Sequence, residues 1–179
     1  MPFICNGCPY FSNSPMHLKF ENNNSKYLLV FQAPGIAEWT GGNMTMSGQR
    51  IPIDSISPHS CAERMRDSFQ RKSVLRTDYD IAEAVCCYPG HLKSGRDKKP
   101  RMKSIKQCTV NMAELLKRKN YTRIACFGTI AYRVVNDAIN IIRQTNPNWI
   151  VPAISQAPHP SGHVSYATLD SSYWDKTNN

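Results

Sequence analysis

No apolar stretch in the 179 residues approaches the uninterrupted length that a bilayer span or a secretory apolar region needs. The expectation is a soluble protein that makes no use of a membrane and resides in the cytoplasm. An even cysteine count is missing as well. Seven cysteines in a chain of this length do not make the disulfide framework of a small secreted domain, so reduced thiols and metal ligation fit better. Acidic residues are scarce: 13 Asp and Glu face 22 Lys and Arg, a net charge of +9 with five histidines neutral. An internal repeat is also absent. The length suits one sizeable core and is short for two, so a single domain over 1–179 is expected.

The basic residues cluster. Between His91 and Gln107 stand Lys93, Arg96, Lys98, Lys99, Arg101, Lys103 and Lys106, opposed only by Asp97. Such a run suits an anionic partner, with a solvated loop as the alternative. Apolar runs at Tyr27 to Phe31, Ile81 to Cys87, Arg123 to Phe127 and Trp149 to Ile154 predict four strands, several stopped by Pro or Gly. Helical patterns at Ser60 to Lys72, Ile105 to Lys119 and Thr129 to Gln144 alternate with them. That alternation predicts an α/β fold, three layers with a central parallel four-stranded sheet. Ligands of such folds sit beyond the carboxyl ends of the strands, where Gln32-Ala33-Pro34-Gly35 and His159-Pro160-Ser161-Gly162 should meet.

Four cysteines stand out by position: Cys5 and Cys8 in a C-x-x-C pair, Cys87 and Cys108. A paired spacing puts two thiolates on one centre, and two more from distant segments complete a shell suited to zinc or an iron–sulfur cluster. Spacing does not choose between them, and Cys87 and Cys108 as plain buried thiols is the alternative. Cys61, Cys86 and Cys126 are expected to be structural.

With these motifs in this order, the chain resembles the uracil-DNA glycosylase superfamily, most closely its iron–sulfur branch, the family 4 enzymes of bacteria and archaea. The correspondence runs through Cys5 and Cys8; Phe31-Gln32-Ala33-Pro34-Gly35 against GEAPG; Glu83 to Pro89 against NVVKCRPP; Cys108; Cys126 to Val135 against an LG-x-x-A step; and His159-Pro160-Ser161-Gly162. The resemblance implies a 4Fe-4S cluster on Cys5, Cys8, Cys87 and Cys108, with zinc second. It implies DNA as the partner, a monomer with no obligatory protein partner, and a bacterial cytosol or nucleoid location. His159 would donate to O2 of the departing base, and Ala33, Met44 and Thr45 would stand near the base. Lys93, Arg96, Lys98, Lys99, Arg101 and the Ser161-Gly162-His163 turn would grip DNA.

Three departures from the family pattern carry chemistry. Gln32 replaces the family glutamate, and a neutral amide cannot act as a base, so water handling passes to Glu38, to backbone groups or to leaving-group stabilisation. Glu83 replaces the asparagine that reads uracil. An ionised carboxylate only accepts hydrogen bonds, so it repels O4 of uracil and attracts the amino group of a cytosine. A one-residue slip of strand register would instead turn Glu83 to the other face. The stretch 42–48 lacks the aromatic residue that stacks on the base in the family, with Trp39 or Tyr88 as substitutes; its loss leaves more room. Together these point to a glycosylase for a bulky modified cytosine, such as glucosylated hydroxymethylcytosine of phage DNA, in antiviral defence. A uracil-DNA repair enzyme and an inactive, metal-stapled DNA-binding module are the rivals.

Overall fold

The computed structural model describes residue 5 and residues 8–10, 20–41 and 51–174. Its centre is a four-stranded, all-parallel sheet in the order β2-β1-β3-β4, built from β1 (Tyr27–Phe31), β2 (Asp80–Glu83), β3 (Arg123–Phe127) and β4 (Ala153–Ala157). Register is continuous: Leu28 pairs with Asp80 and Ile124, and Phe31 with Glu83 and Phe127.

Side chains alternate across each strand, so the sheet feeds two cores. Leu28, Val30, Ala82, Ile124 and Cys126 face α3 (Met102–Lys117) and α4 (Thr129–Thr145). Leu29, Phe31, Ile81, Ala125 and Phe127 face α2 (Cys61–Arg71) and the short α5 (Tyr166–Asp170). Helices on both faces give the expected α/β/α sandwich. On the second face Phe31 and Phe127 stack with centroids 4.6 Å apart, worth about 0.5–1.5 kcal/mol beyond their burial.

Two crossovers leave β1 and β3 in opposite directions along the sheet. The chain goes from β1 through α1 (Ile36–Gly41) and α2 to β2 at one edge, while β3 leads through α4 to β4 at the other. The carboxyl ends of β1 and β3 are therefore the topological switch point, where parallel α/β sheets leave a crevice.

Two strands differ from expectation. The fourth apolar run predicts a strand over Trp149 to Ile154, but β4 begins at Ala153, because Pro152 cannot donate to a ladder and Ile150 and Val151 are exposed before it. The second strand ends at Glu83, not Cys87. Beyond it Ala84 and Val85 donate to the Phe31 and Gln32 carbonyls at 2.7 and 3.0 Å while the chain diverges. Among the described residues no helix is long and apolar enough to cross a membrane.

Candidate active site and thiol cluster

The chain leaves β1 into Gln32-Ala33-Pro34-Gly35 and then α1, and it leaves β3 at Gly128. Gly128 has φ +97° and precedes the first residue of α4. A Cβ there would meet Gln32 Oε1 at 3.5 Å and His159 Cβ at 3.6 Å, ordinary contacts, so the left-handed φ is what favours glycine, and both side chains lie against this turn at the end of β3. His159 follows β4 and is thereby seated beside Gln32.

A cavity of about 500 Å³ opens at this crevice. Among the described residues its wall includes Phe31, Gln32, Ala33, Glu38, Cys61, Lys98, Lys99 and His159. The volume falls in the ~300–1,000 Å³ range of sites for drug-sized ligands.

Two buried carboxyl groups lie at this end of the sheet. Glu38, on α1, is 3% exposed, and its Oε1 has no hydrogen-bond partner. Burial raises its pKa above the usual carboxyl range, and the negative charge of Asp97 adds to this; the backbone amides of Glu38, Ala62 and Gly35 pull the other way. Glu83 pairs in register with Phe31 and so points to the same face, inward and not to solvent. It is 4% exposed with neither oxygen partnered. Burial, reinforced by Glu38, holds its pKa well above the ordinary value, against weaker pulls from the Ile53 amide and Arg76. A buried carboxyl with so little donation to it favours its neutral form.

Burial also lowers the pKa of His159, partly opposed by Asp97, so the neutral imidazole is favoured at neutral pH. Its Nδ1 is 3.9 Å from Cys61 Sγ. Burial, then Glu38, Glu83 and Asp97, push the Cys61 thiol up to about 12, which keeps it protonated and a poor nucleophile.

The wall includes two left-handed residues that are not glycine, Ile53 at φ +44° and His59 at φ +59°. For a β-branched residue that conformation is strained. Arg76 holds it by donating to the Pro52 and Ile53 carbonyls while paired with Glu21 at 2.6 Å.

The basic run is a small hairpin. His91 bridges to Asp97, Leu92 donates to the Arg96 carbonyl at 2.7 Å, and Lys98 donates back to Gly90 at 2.8 Å. This returns Asp97, Lys98 and Lys99 to the cavity wall, while Lys93, Arg96 and Arg101 stay exposed away from it. Trp39 and Tyr88, the candidate stacking rings, stack on each other at 6.3 Å.

The structure thus brings Gln32, Ala33, Glu38, Lys98, Lys99 and His159 into one wall. Glu83 is not in that wall; it lies behind it. Ser161 is half-buried, and Gly162 and His163 are exposed on the turn after His159, where a Cβ on Gly162 would meet open space. Met44 and Thr45 lie outside the described residues. Sequence reasoning missed Asp97, Cys61, Ile53 and His59 as wall residues. The available signal for Asp97 was its isolation in a basic run, two residues after Gly95.

The four cysteines gather at the other side of the sheet. Cys87 and Cys108 are buried in the core under α3 and α4, with Cys8 packed against it. The Cys8 amide donates to the Cys5 carbonyl at 3.0 Å, and Cys8 Sγ meets Ser104 Oγ at 3.5 Å. Burial raises Cys5 and pushes Cys87 up to about 12, and in both cases Cys108 and Cys8 are close enough to add to the effect. Among the described residues no group of three or more His, Cys, Asp or Glu side chains is spaced to hold a metal ion. Four thiols on this side of the sheet are chemically suited to zinc or to an iron–sulfur cluster.

No protein-family model matches this chain, and no curated protein matches it. Among solved structures, an acetyl xylan esterase from the rumen bacterium Butyrivibrio proteoclasticus is similar at a TM-score of 0.34 and 10% identity, over 75% of this chain. The chain spans 56% of that esterase's length, and a likeness at this level carries no inference about activity.

Proposed function

We propose that the protein is a DNA glycosylase that takes a flipped pyrimidine into the cavity and hydrolyses its N-glycosidic bond, leaving an abasic site. The convergence of Gln32, Glu38 and His159 on one cavity, with Lys98 and Lys99 in its wall, carries this proposal. A base within a duplex is out of reach, so the nucleotide must be extruded, and the basic hairpin supplies the phosphate contacts that hold the strand. His159, neutral, donates a hydrogen bond to O2 of the leaving base and stabilises the charge that grows there as the bond opens. Gln32, seated against Gly128 beside His159, orients the base through its amide and cannot take a proton.

The substrate within this proposal is a bulky modified cytosine, a glucosylated hydroxymethylcytosine being one example, and the protein then serves antiviral defence. Cavity volume supports this, since about 500 Å³ exceeds what a bare pyrimidine fills. Glu83 lends less support than its charge suggested. It stands behind the wall and its neutral form is favoured, and a protonated carboxyl can donate as well as accept.

Cys5, Cys8, Cys87 and Cys108 would hold a 4Fe-4S cluster. When bound it would tie the N-terminal segment, the exit of β2 and α3 together, a structural service remote from the bond that breaks. Freshly purified protein should carry iron and acid-labile sulfide; stoichiometric zinc in their place contradicts the cluster.

The activity is tested with duplexes bearing cytosine, uracil or glucosylated hydroxymethylcytosine at one position, scored for alkali-labile breaks. Breaks at the modified cytosine alone are expected. Breaks at uracil alone favour the repair enzyme, and none in any duplex, despite DNA binding, favours an inactive binding module.

A further inference from the structure

Gln32 leaves the reaction without a base at the first loop, and the cavity holds an unassigned acidic side chain, Asp97. It belongs to the hairpin whose other charges are basic. A Cβ on Gly35 would lie 2.7 Å from Glu38 Oε2 and 3.0 Å from Asp97 Oδ2, so the two carboxylate oxygens can be no farther apart than those distances together. Asp97 is held in place by the Ile36 amide, which donates to Oδ1 at 3.3 Å, and by the bridge to His91. Glu38 is 3% exposed, lines the cavity and keeps Oε1 without a partner. A buried, unpaired carboxyl oxygen costs stability unless something at the site uses it.

We propose that Glu38 is the general base for the attacking water and that Asp97 is its positioning partner, so that seating the basic hairpin on DNA and activating water are one event. These roles rest on the glycosylase reading. In the step, the water oxygen bonds to C1′ and one of its protons passes to the Glu38 carboxylate. The C1′–N bond breaks with its electron pair going to the base, where His159 donates to O2. The proton on Glu38 then leaves to the departed base or to solvent. Asp97 contributes through its like charge, which makes Glu38 a stronger base at neutral pH.

The groups facing Glu38 are Asp97 from the hairpin, Cys61 from the start of α2, Glu83 from the end of β2, and His159, Lys98 and Lys99 across the cavity. Of these, Asp97 is the charged neighbour that raises Glu38. Removing it should let Glu38 ionise at lower pH.

The test is single-turnover release of base from a glucosylated hydroxymethylcytosine duplex across pH, with DNA affinity measured in parallel on the full chain. Glu38→Gln should slow release about 100-fold with affinity unchanged. Asp97→Asn should slow it about 10-fold at neutral pH and move the acidic limb of the rate profile to lower pH, while Asp97→Glu recovers part of both. Gly35→Ala, which drives a methyl group between the two carboxylates, should resemble Glu38→Gln. Should Asp97→Asn fail to fold, Gly35→Ala decides the matter. An unmoved acidic limb in Asp97→Asn, full activity in Gly35→Ala, or loss of affinity matching the loss of rate would each overturn the pair. No release by the wild type from any duplex would instead overturn the glycosylase reading, and the pair's role with it.

Discussion

The two ends of β2 treat a buried carboxyl group in opposite ways. Asp80, at the amino end, is fully buried and saturated: its Oδ1 accepts from the Asn23 and Ser25 amides at 2.9 and 3.0 Å, and its Oδ2 from Lys119 Nζ and Tyr121 OH at 2.7 and 2.8 Å. Glu83, three residues on, is 4% exposed with no partner for either oxygen, and Glu38 beside it keeps one oxygen unpaired. Burial is nearly equal, so satisfaction distinguishes the two ends. A saturated buried charge fixes the fold, whereas a buried carboxyl left without partners costs stability.

That contrast should be visible in the variants. Asp80→Asn, which leaves Lys119 facing a neutral group in a buried network, should cost about 3–5 kcal/mol by denaturant unfolding. A loss under about 1 kcal/mol would break the comparison at its structural end. His159→Ala should slow base release by about 10²–10³-fold with stability and DNA affinity little changed, since its donation matters as charge develops. Equal loss of affinity and rate would make His159 a loop support instead.

Glu83→Gln tests the other end through pH. A carboxyl whose folded pKa lies above its unfolded value holds its proton longer in the folded state, so stability falls as pH rises from the ordinary carboxyl range through the raised value. Removing the charge should abolish that fall and stabilise the protein at neutral pH, by about 1.4 kcal/mol for every tenfold by which burial tightens the carboxyl's hold on its proton. Melting temperatures across pH read this out; a variant that melts lower than wild type at neutral pH would show that Glu83 is satisfied after all. The smallest effect should come from neutralising Lys98, Lys99 and Arg101 together. The slope of log affinity against log salt should flatten by up to about 3, and an unchanged slope would put the DNA face elsewhere.

Legibility from sequence follows the same division. β1 and β3 are the two inner strands, buried on both faces, and their apolar runs coincide with the observed strands residue for residue. β4 is an edge strand, partly exposed, and there the apolar run at Trp149 to Val151 misleads because tertiary pairing, not hydrophobicity, selects 153–157. The short helices α1 and α5 are too brief to show a period, and no pattern in the sequence marks them. Within the site, Gln32, Glu38 and His159 are legible because they lie in or beside loops that follow strands. Asp97 and Cys61 reach the wall through a hairpin and a helix start whose placement no local pattern reveals. The left-handed turn at Ile53, which forms part of the wall, is equally invisible in the sequence.

Release of a base from DNA by this cavity is tested by the mass of the small molecule set free from phage DNA with glucosylated hydroxymethylcytosine, with His159→Ala as the control. The expected products are the free modified base with its glucose attached and an abasic site left in the strand, with almost none of either from the variant. Release of uracil from uracil-containing DNA with the modified DNA untouched, or equal release by wild type and variant, would contradict this expectation.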